Sequence, residues 1–182
     1  MRIRLRLLSL AAPFLLGGLP VQAQETPRTV VVVRHAEKGA EGNNPSLTRA
    51  GARRAEALSR ALQDVTISAL FATEYKRTRE TVVPLHQRLG LDITTVPARS
   101  VDSLVARILT LPAGGAAVVA SHSNLVHVIV RRLSGVAIPE LTEADYDRMA
   151  VVTVTGPGQG TVVVLRYGEA SAPGPQAPMV KP

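Results

Sequence analysis

Cysteine and tryptophan are absent from this sequence, and its 182 residues hold three tyrosines and two phenylalanines. Without cysteine there is no disulfide framework, so stability must come from a packed core, and a lipid-modified N-terminal cysteine is excluded. So few aromatic rings leave little on which to stack bases, and the modest positive charge does not argue for a nucleic-acid partner. A long apolar span is also missing. Residues 7–19 form a short apolar stretch, interrupted by Pro13, Gly17 and Gly18 and followed by Pro20, too short and broken for a spanning helix.

That stretch follows Arg2, Arg4 and Arg6 and precedes Val21-Gln22-Ala23, a small-x-small signal. Residues 1–23 therefore read as a signal peptide cleaved after Ala23, with an exported protein, periplasmic or secreted and without stable membrane insertion, as the product. The whole chain carries 21 basic and 14 acidic residues, a net +7. Loss of the three leader arginines lowers that to +4. The remaining length suits one domain over residues 24–167, followed by a Pro/Ala/Gly-rich tail over 168–182 with little to bury, expected to be disordered.

What is present is organised around residues 29–37, TVVVVRHAE. Four consecutive valines between polar flanks predict a strand buried on both faces, of the kind found in parallel sheets. Arg34 and His35 follow at its carboxyl end, where open α/β sheets bind ligands. Residues 38–46 read as a loop. A helix is expected over 48–63, with Thr48 as N-cap, Ala55, Leu58 and Leu62 on its buried face, and Arg49, Arg53, Arg54 and Arg60 on its solvated side.

The pattern then repeats. Strand 65–72 ends in Thr73-Glu74-Tyr75-Lys76-Arg77 and runs into a helix reaching 89, stopped by Gly90. A short strand spans 92–97 and a helix 101–111. Strand 116–120 ends in Ser121-His122-Ser123-Asn124 before a helix over 125–133. Residues 140–148 form a polar loop or short helix, and 149–155 with 161–166 make a hairpin around GPGQG. His86 and His127 read as packing or surface histidines.

Three strand ends thus offer two guanidiniums, Arg34 and Arg77, and two imidazoles, His35 and His122, with helix N-termini behind them. Planar guanidiniums chelate phosphate oxygens bidentately. Phosphoryl transfer requires in-line geometry and cationic cover for the equatorial oxygens. Arg34, Arg77 and His122 suit that cover. His35 suits a nucleophile if its ring is neutral, a state that nearby cations favour.

The segments VVVRHAEK, PSLTRAGARRAEAL, ISALFATEYKRTRETV and AAVVASHSN resemble, in this order, the histidine phosphatase (phosphoglycerate mutase-like) superfamily over most of residues 29–135. The resemblance implies a three-layer α/β/α sandwich with a mostly parallel central sheet, no metal or cofactor, and phosphatase or mutase activity. It implies His35 as the phosphorylated nucleophile, with Arg34, Arg77 and His122 completing the phosphate pocket and Glu37 and Thr73 supporting it. Many members carry a glutamate proton donor in the segment after the second-arginine helix, within a sizeable insertion. Here that segment is VPARSVDSL and its one acid is Asp102, equally a helix N-terminal charge.

The expectation is a metal-independent phosphomonoester hydrolase acting on a phosphorylated protein, sugar or envelope glycan. A noncatalytic phosphate-ligand binder and, ranked below hydrolysis, a phosphomutase are the alternatives. A metal-binding export protein using His35, Glu37 and His122 is disfavoured, because it leaves both arginines without a role.

Overall fold

The computed structural model describes residues 26–112 and 114–171. The signal peptide assigned to residues 1–23 lies outside them. Six strands and four helices follow in the order β1 (Arg28–Arg34), α1 (Arg49–Ala61), β2 (Ile67–Ala72), α2 (Lys76–Leu89), β3 (Ile93–Thr95), α3 (Val101–Leu109), β4 (Ala116–Ser121), α4 (Ser123–Ser134), β5 (Arg148–Gly156) and β6 (Gln159–Arg166). The strands form one sheet in the order β3-β2-β4-β1-β5-β6. The first four in that order are parallel neighbours, and β5 and β6 are antiparallel additions. The sheet is mostly parallel, as expected.

The valine run explains why both faces of this sheet are covered. Successive side chains of a strand point to opposite faces, and Val30 and Val32 enter a core with Leu104, Ile108, Val126 and Ile129 of α3 and α4. Val31 and Val33 enter a second core with Leu58 and Leu62, from α1 and its C-cap, and with Val82 and Leu85 of α2. Two layers of helices therefore sandwich the sheet. Each valine buried in this way contributes roughly 1.5–3 kcal/mol of transfer free energy.

Register decides what meets at the sheet's carboxyl edge. In the parallel ladders Val33 lies opposite Ala120 and Ala120 opposite Ala72. One residue further on stand Arg34, Ser121 and Thr73, with Arg34 opposite Ser121. The His35 amide donates to the Ser121 carbonyl at 2.8 Å. On the other side of β1, Val33 pairs antiparallel with Met149, so the chain entering β5 also passes over this edge.

Most element ends move by one or two residues from the sequence reading, and two boundaries bear on the domain and its site. Residues 168–171, expected to belong to the tail, are bound to the domain: Ser171 Oγ accepts from the amides of Tyr146 and Asp147, both at 2.9 Å. The Glu169 carbonyl accepts from Arg54 at 2.9 Å. Backbone groups satisfied in this way hold polar, glycine-containing chain that has no apolar reason to pack. Residues 172–182 lie outside the described part. Helix α4 begins two residues earlier than expected, at Ser123, with His122 as its N-cap residue.

Candidate active site

The carboxyl ends of β1, β2 and β4 bring four of the predicted site residues together. Arg34, His35, Arg77 and His122 line one cavity of about 310 Å3, with Lys38, Tyr75, Ser123 and Glu143 among its other walls. A larger hollow of about 480 Å3 lies on the outer side of α1, lined by Arg53, Ala57, Arg60 and Glu169 among others. The convergence of chemical groups, rather than volume, marks the first as the site.

His35 is 3% exposed. Its Nδ1–H donates to the Ala36 carbonyl at 2.8 Å, which leaves Nε2 with a free lone pair. Burial pushes the imidazole pKa down to about 3 against the support of that carbonyl, and Arg34, His122 and Arg77 add like-charge repulsion. The ring is neutral at physiological pH. The His122 ring lies edge-on to it, with centroids 5.5 Å apart, and is lowered to about 4, chiefly by burial and next by Arg77.

His122 is oriented by hydroxyls. Its Nε2 is 3.0 Å from Thr73 Oγ1, which is 2.8 Å from Thr78 Oγ1. The Thr78 hydroxyl is in turn within 2.7 Å of the Tyr75 carbonyl. This chain runs from the end of β2 into the first turn of α2. Thr73 therefore touches the site through His122, in the supporting place expected of it.

The two arginines sit differently. Arg34 is 1% exposed; its Nη1 donates to the Thr142 carbonyl and its Nη2 to Glu143 Oε2, each at 2.8 Å. The Tyr146 hydroxyl is 3.3 Å from Nη2, and the guanidinium lies 4.0 Å from the centre of that ring. Arg77 stacks on Tyr75 at 4.3 Å. No acidic side chain pairs with Arg77 among the described residues, and its buried Nε has no hydrogen-bond partner there. A half-buried cation without a protein anion at a helix start is suited to a ligand's negative charge.

Three sequence assignments change. Asp102 does not line the cavity: its carboxylate is 81% exposed and lies 3.5 Å from Nε of Arg132, near the far end of α4. It stands in the first turn of α3, in the helix N-terminal place given above as its other reading. Glu37 faces α1 and binds Arg54 Nε and Nη2 at 2.7–3.0 Å. Arg54, expected on the solvated side of its helix, is 5% exposed.

Sequence reasoning missed Glu143, Tyr146 and Ser123. Glu143 reaches the cavity from the loop before β5, its Oε1 accepting from Ser123 Oγ at 3.0 Å. The signal that would have found it is the antiparallel pairing of β5 with β1, which places the residues before Arg148 beyond the end of β1. Among the described residues no group of three His, Cys, Asp or Glu side chains is arranged to hold a metal ion, and no helix is long and apolar enough to cross a membrane.

Residues 30–100 match the family model of the histidine phosphatase superfamily, branch 1. Among solved structures, the fold superposes on that of the protein histidine phosphatase SixA complexed with tungstate with a TM-score of 0.63 and 23% identity, covering 76% of this chain and 96% of that one. A mycobacterial glucosyl-3-phosphoglycerate phosphatase gives a TM-score of 0.59 and 13% identity over 78% of this chain and 100% of that one. No curated protein matches the sequence.

Proposed function

We propose that this chain is a phosphomonoester hydrolase working through a phosphohistidine on His35. The observation that carries the reading is the state of His35: neutral, with Nδ1 tied to the Ala36 carbonyl and Nε2 free, beside Arg34, Arg77 and His122. A pure anion binder gains nothing from a buried, uncharged imidazole among its cations. Nε2 attacks phosphorus in line with the leaving oxygen, and Arg34, Arg77 and His122 cover the equatorial oxygens. Water then hydrolyses the Nε2–P bond.

Similar folds support the oxyanion reading, since one is complexed with tungstate, a tetrahedral oxyanion like phosphate. Their activities, a protein histidine phosphatase and a glucosyl-3-phosphoglycerate phosphatase, bracket the substrates we propose: a phosphorylated protein, sugar or envelope glycan. No metal or cofactor enters the proposed chemistry. We also propose export with cleavage after Ala23; N-terminal sequencing of the protein from fractionated cells should then begin at Gln24.

The deciding experiment is phosphate release from nitrophenyl phosphate with a chelator present, comparing wild type with His35→Ala. Turnover by wild type and none by the variant, with a labelled phosphohistidine trapped on wild type alone, is the expected result. Equal rates for the two proteins would overturn it.

A further inference from the structure

The leaving oxygen of a phosphomonoester departs as a high-energy alkoxide unless an acid delivers a proton to it. The two imidazoles at the site are held neutral, with pKa values of about 3 and 4, and are poor reservoirs of that proton at neutral pH. Asp102 is elsewhere. Of the residues lining the cavity, Glu143 is the one carboxylic acid.

Its present bonds define what it does before substrate arrives. One carboxylate oxygen takes Nη2 of Arg34 at 2.8 Å and the other takes the Ser123 hydroxyl at 3.0 Å. The Ser123 hydroxyl foremost, then the Arg34 charge, holds the carboxyl below the usual carboxylate range. The side chain is nonetheless 80% exposed while its partner guanidinium is 1% exposed. A fixed cation is thus covered by a movable anion, at the face a phosphoryl group would use.

Resting on the phosphohydrolase reading above, we propose that Glu143 is the leaving group's proton donor, recruited by displacement. The phosphoryl group of the substrate takes Arg34 Nη2 from the glutamate, which then lies beside a dianion instead of a cation. Loss of the charge-assisted bond and gain of a like-charged neighbour both raise its proton affinity, so it takes up a proton from solvent. The cations facing it, Arg34, Lys38 and Arg77, are then shared with the bound phosphate.

As Nε2 of His35 bonds to phosphorus, the bond from phosphorus to the leaving oxygen breaks. Its electron pair stays on that oxygen and the Glu143 proton joins it, so a neutral alcohol departs. The carboxylate then takes a proton from water as the water oxygen attacks phosphorus. The Nε2–P bond breaks and its pair returns to the imidazole; as inorganic phosphate leaves, Glu143 returns its proton to solvent and its carboxylate to Arg34, which regenerates the starting protein.

The test compares full-chain wild type with Glu143→Gln, which keeps the size and the acceptor for Ser123 but has no acidic proton, on dinitrophenyl phosphate and ethyl phosphate. The dinitrophenolate needs no acid, whereas ethoxide does. The expected result is a fall in kcat/KM of about 100-fold or more on the ethyl ester, little change on the dinitrophenyl ester, and tighter competitive inhibition of the variant by inorganic phosphate because the competing carboxylate charge is gone. Equal falls on both esters, or none on either, with an active wild type overturn the donor role alone. A wild type inert on both esters overturns the phosphohydrolase reading and this proposal with it.

Discussion

Arg54 holds Glu37 across 17 positions of sequence, through hydrogen bonds from Nε and Nη2 that measure 2.7–3.0 Å. The pair fastens α1 to the segment leaving His35, and Arg54 Nη1 continues to the carbonyls of Tyr167 and Glu169. One buried cation thus ties together the entry to the site and the end of the domain. Arg54→Met removes it and leaves the Glu37 carboxylate unpaired, so urea denaturation should show a loss of roughly 3–5 kcal/mol. An unchanged midpoint would show that the pair has no structural weight. Glu37→Gln should lower stability while leaving KM for a phosphomonoester near the wild-type value, since Glu37 faces α1 rather than the cavity.

Arg77 behaves oppositely. Its guanidinium has no acidic partner among the described residues and rests on Tyr75, and in the function proposed above it serves binding rather than stability. Arg77→Ala should leave the thermal midpoint without added ligand within a few degrees of wild type. It should also abolish most of the stabilisation that inorganic phosphate gives the wild type, which grows as RT ln(1 + [L]/Kd). A variant that phosphate still protects fully would remove Arg77 from the anion site.

Thr73→Val tests the orientation of His122. Valine keeps the shape of threonine but deletes the hydroxyl between His122 Nε2 and Thr78 Oγ1; Thr78 Oγ1 keeps the Tyr75 carbonyl, while His122 Nε2 is left unpaired at a cost of about 1–3 kcal/mol. Loss of kcat/KM should exceed the fraction unfolded. Thr73→Ser, which restores the hydroxyl, should recover most of it. Failure of serine to rescue would point to packing instead.

Acid should weaken the fold through the two site histidines. Their native pKa values, about 3 for His35 and about 4 for His122, lie below the unfolded value of 6.5. The unfolded chain therefore binds protons first as pH falls, and stability rises with pH across that interval. The contribution is complete above pH 6.5 and is lost as pH falls toward 4 and 3, by up to about 1.4 kcal/mol per unit for each ring. Thermal melts across this window should slope downward with acid, and His122→Asn should flatten the slope. NMR titration should show both rings still neutral at pH 6.5.

Much of the fold was legible before any coordinates. The valine run, the glycine stop at Gly90 and the apolar spacing of Ala55, Leu58 and Leu62 report local periodicity, and local periodicity is written along the chain. Arg54 was misplaced because helical spacing says which residues share a face, while burial of an arginine depends on Glu37 arriving from another segment. For Asp102 the helix N-terminal reading matched the first turn of α3, while its absence from the cavity lining depends on where α3 points, which its place in the sequence does not say.

The sequence by itself determined the strands, the helices and the residues that end them: Arg34-His35, Thr73 through Arg77, and His122, each at a strand's carboxyl end because a buried β-branched run stops where polar residues begin. Tertiary structure alone decided the strand order that sets β4 between β1 and β2, the flush register that stands Arg34, Ser121 and Thr73 side by side, and the return of β5 that carries Glu143 to Arg34. Those relations join residues up to 109 positions apart. They follow from which surfaces bury one another, a property of the packed layers that no single segment carries.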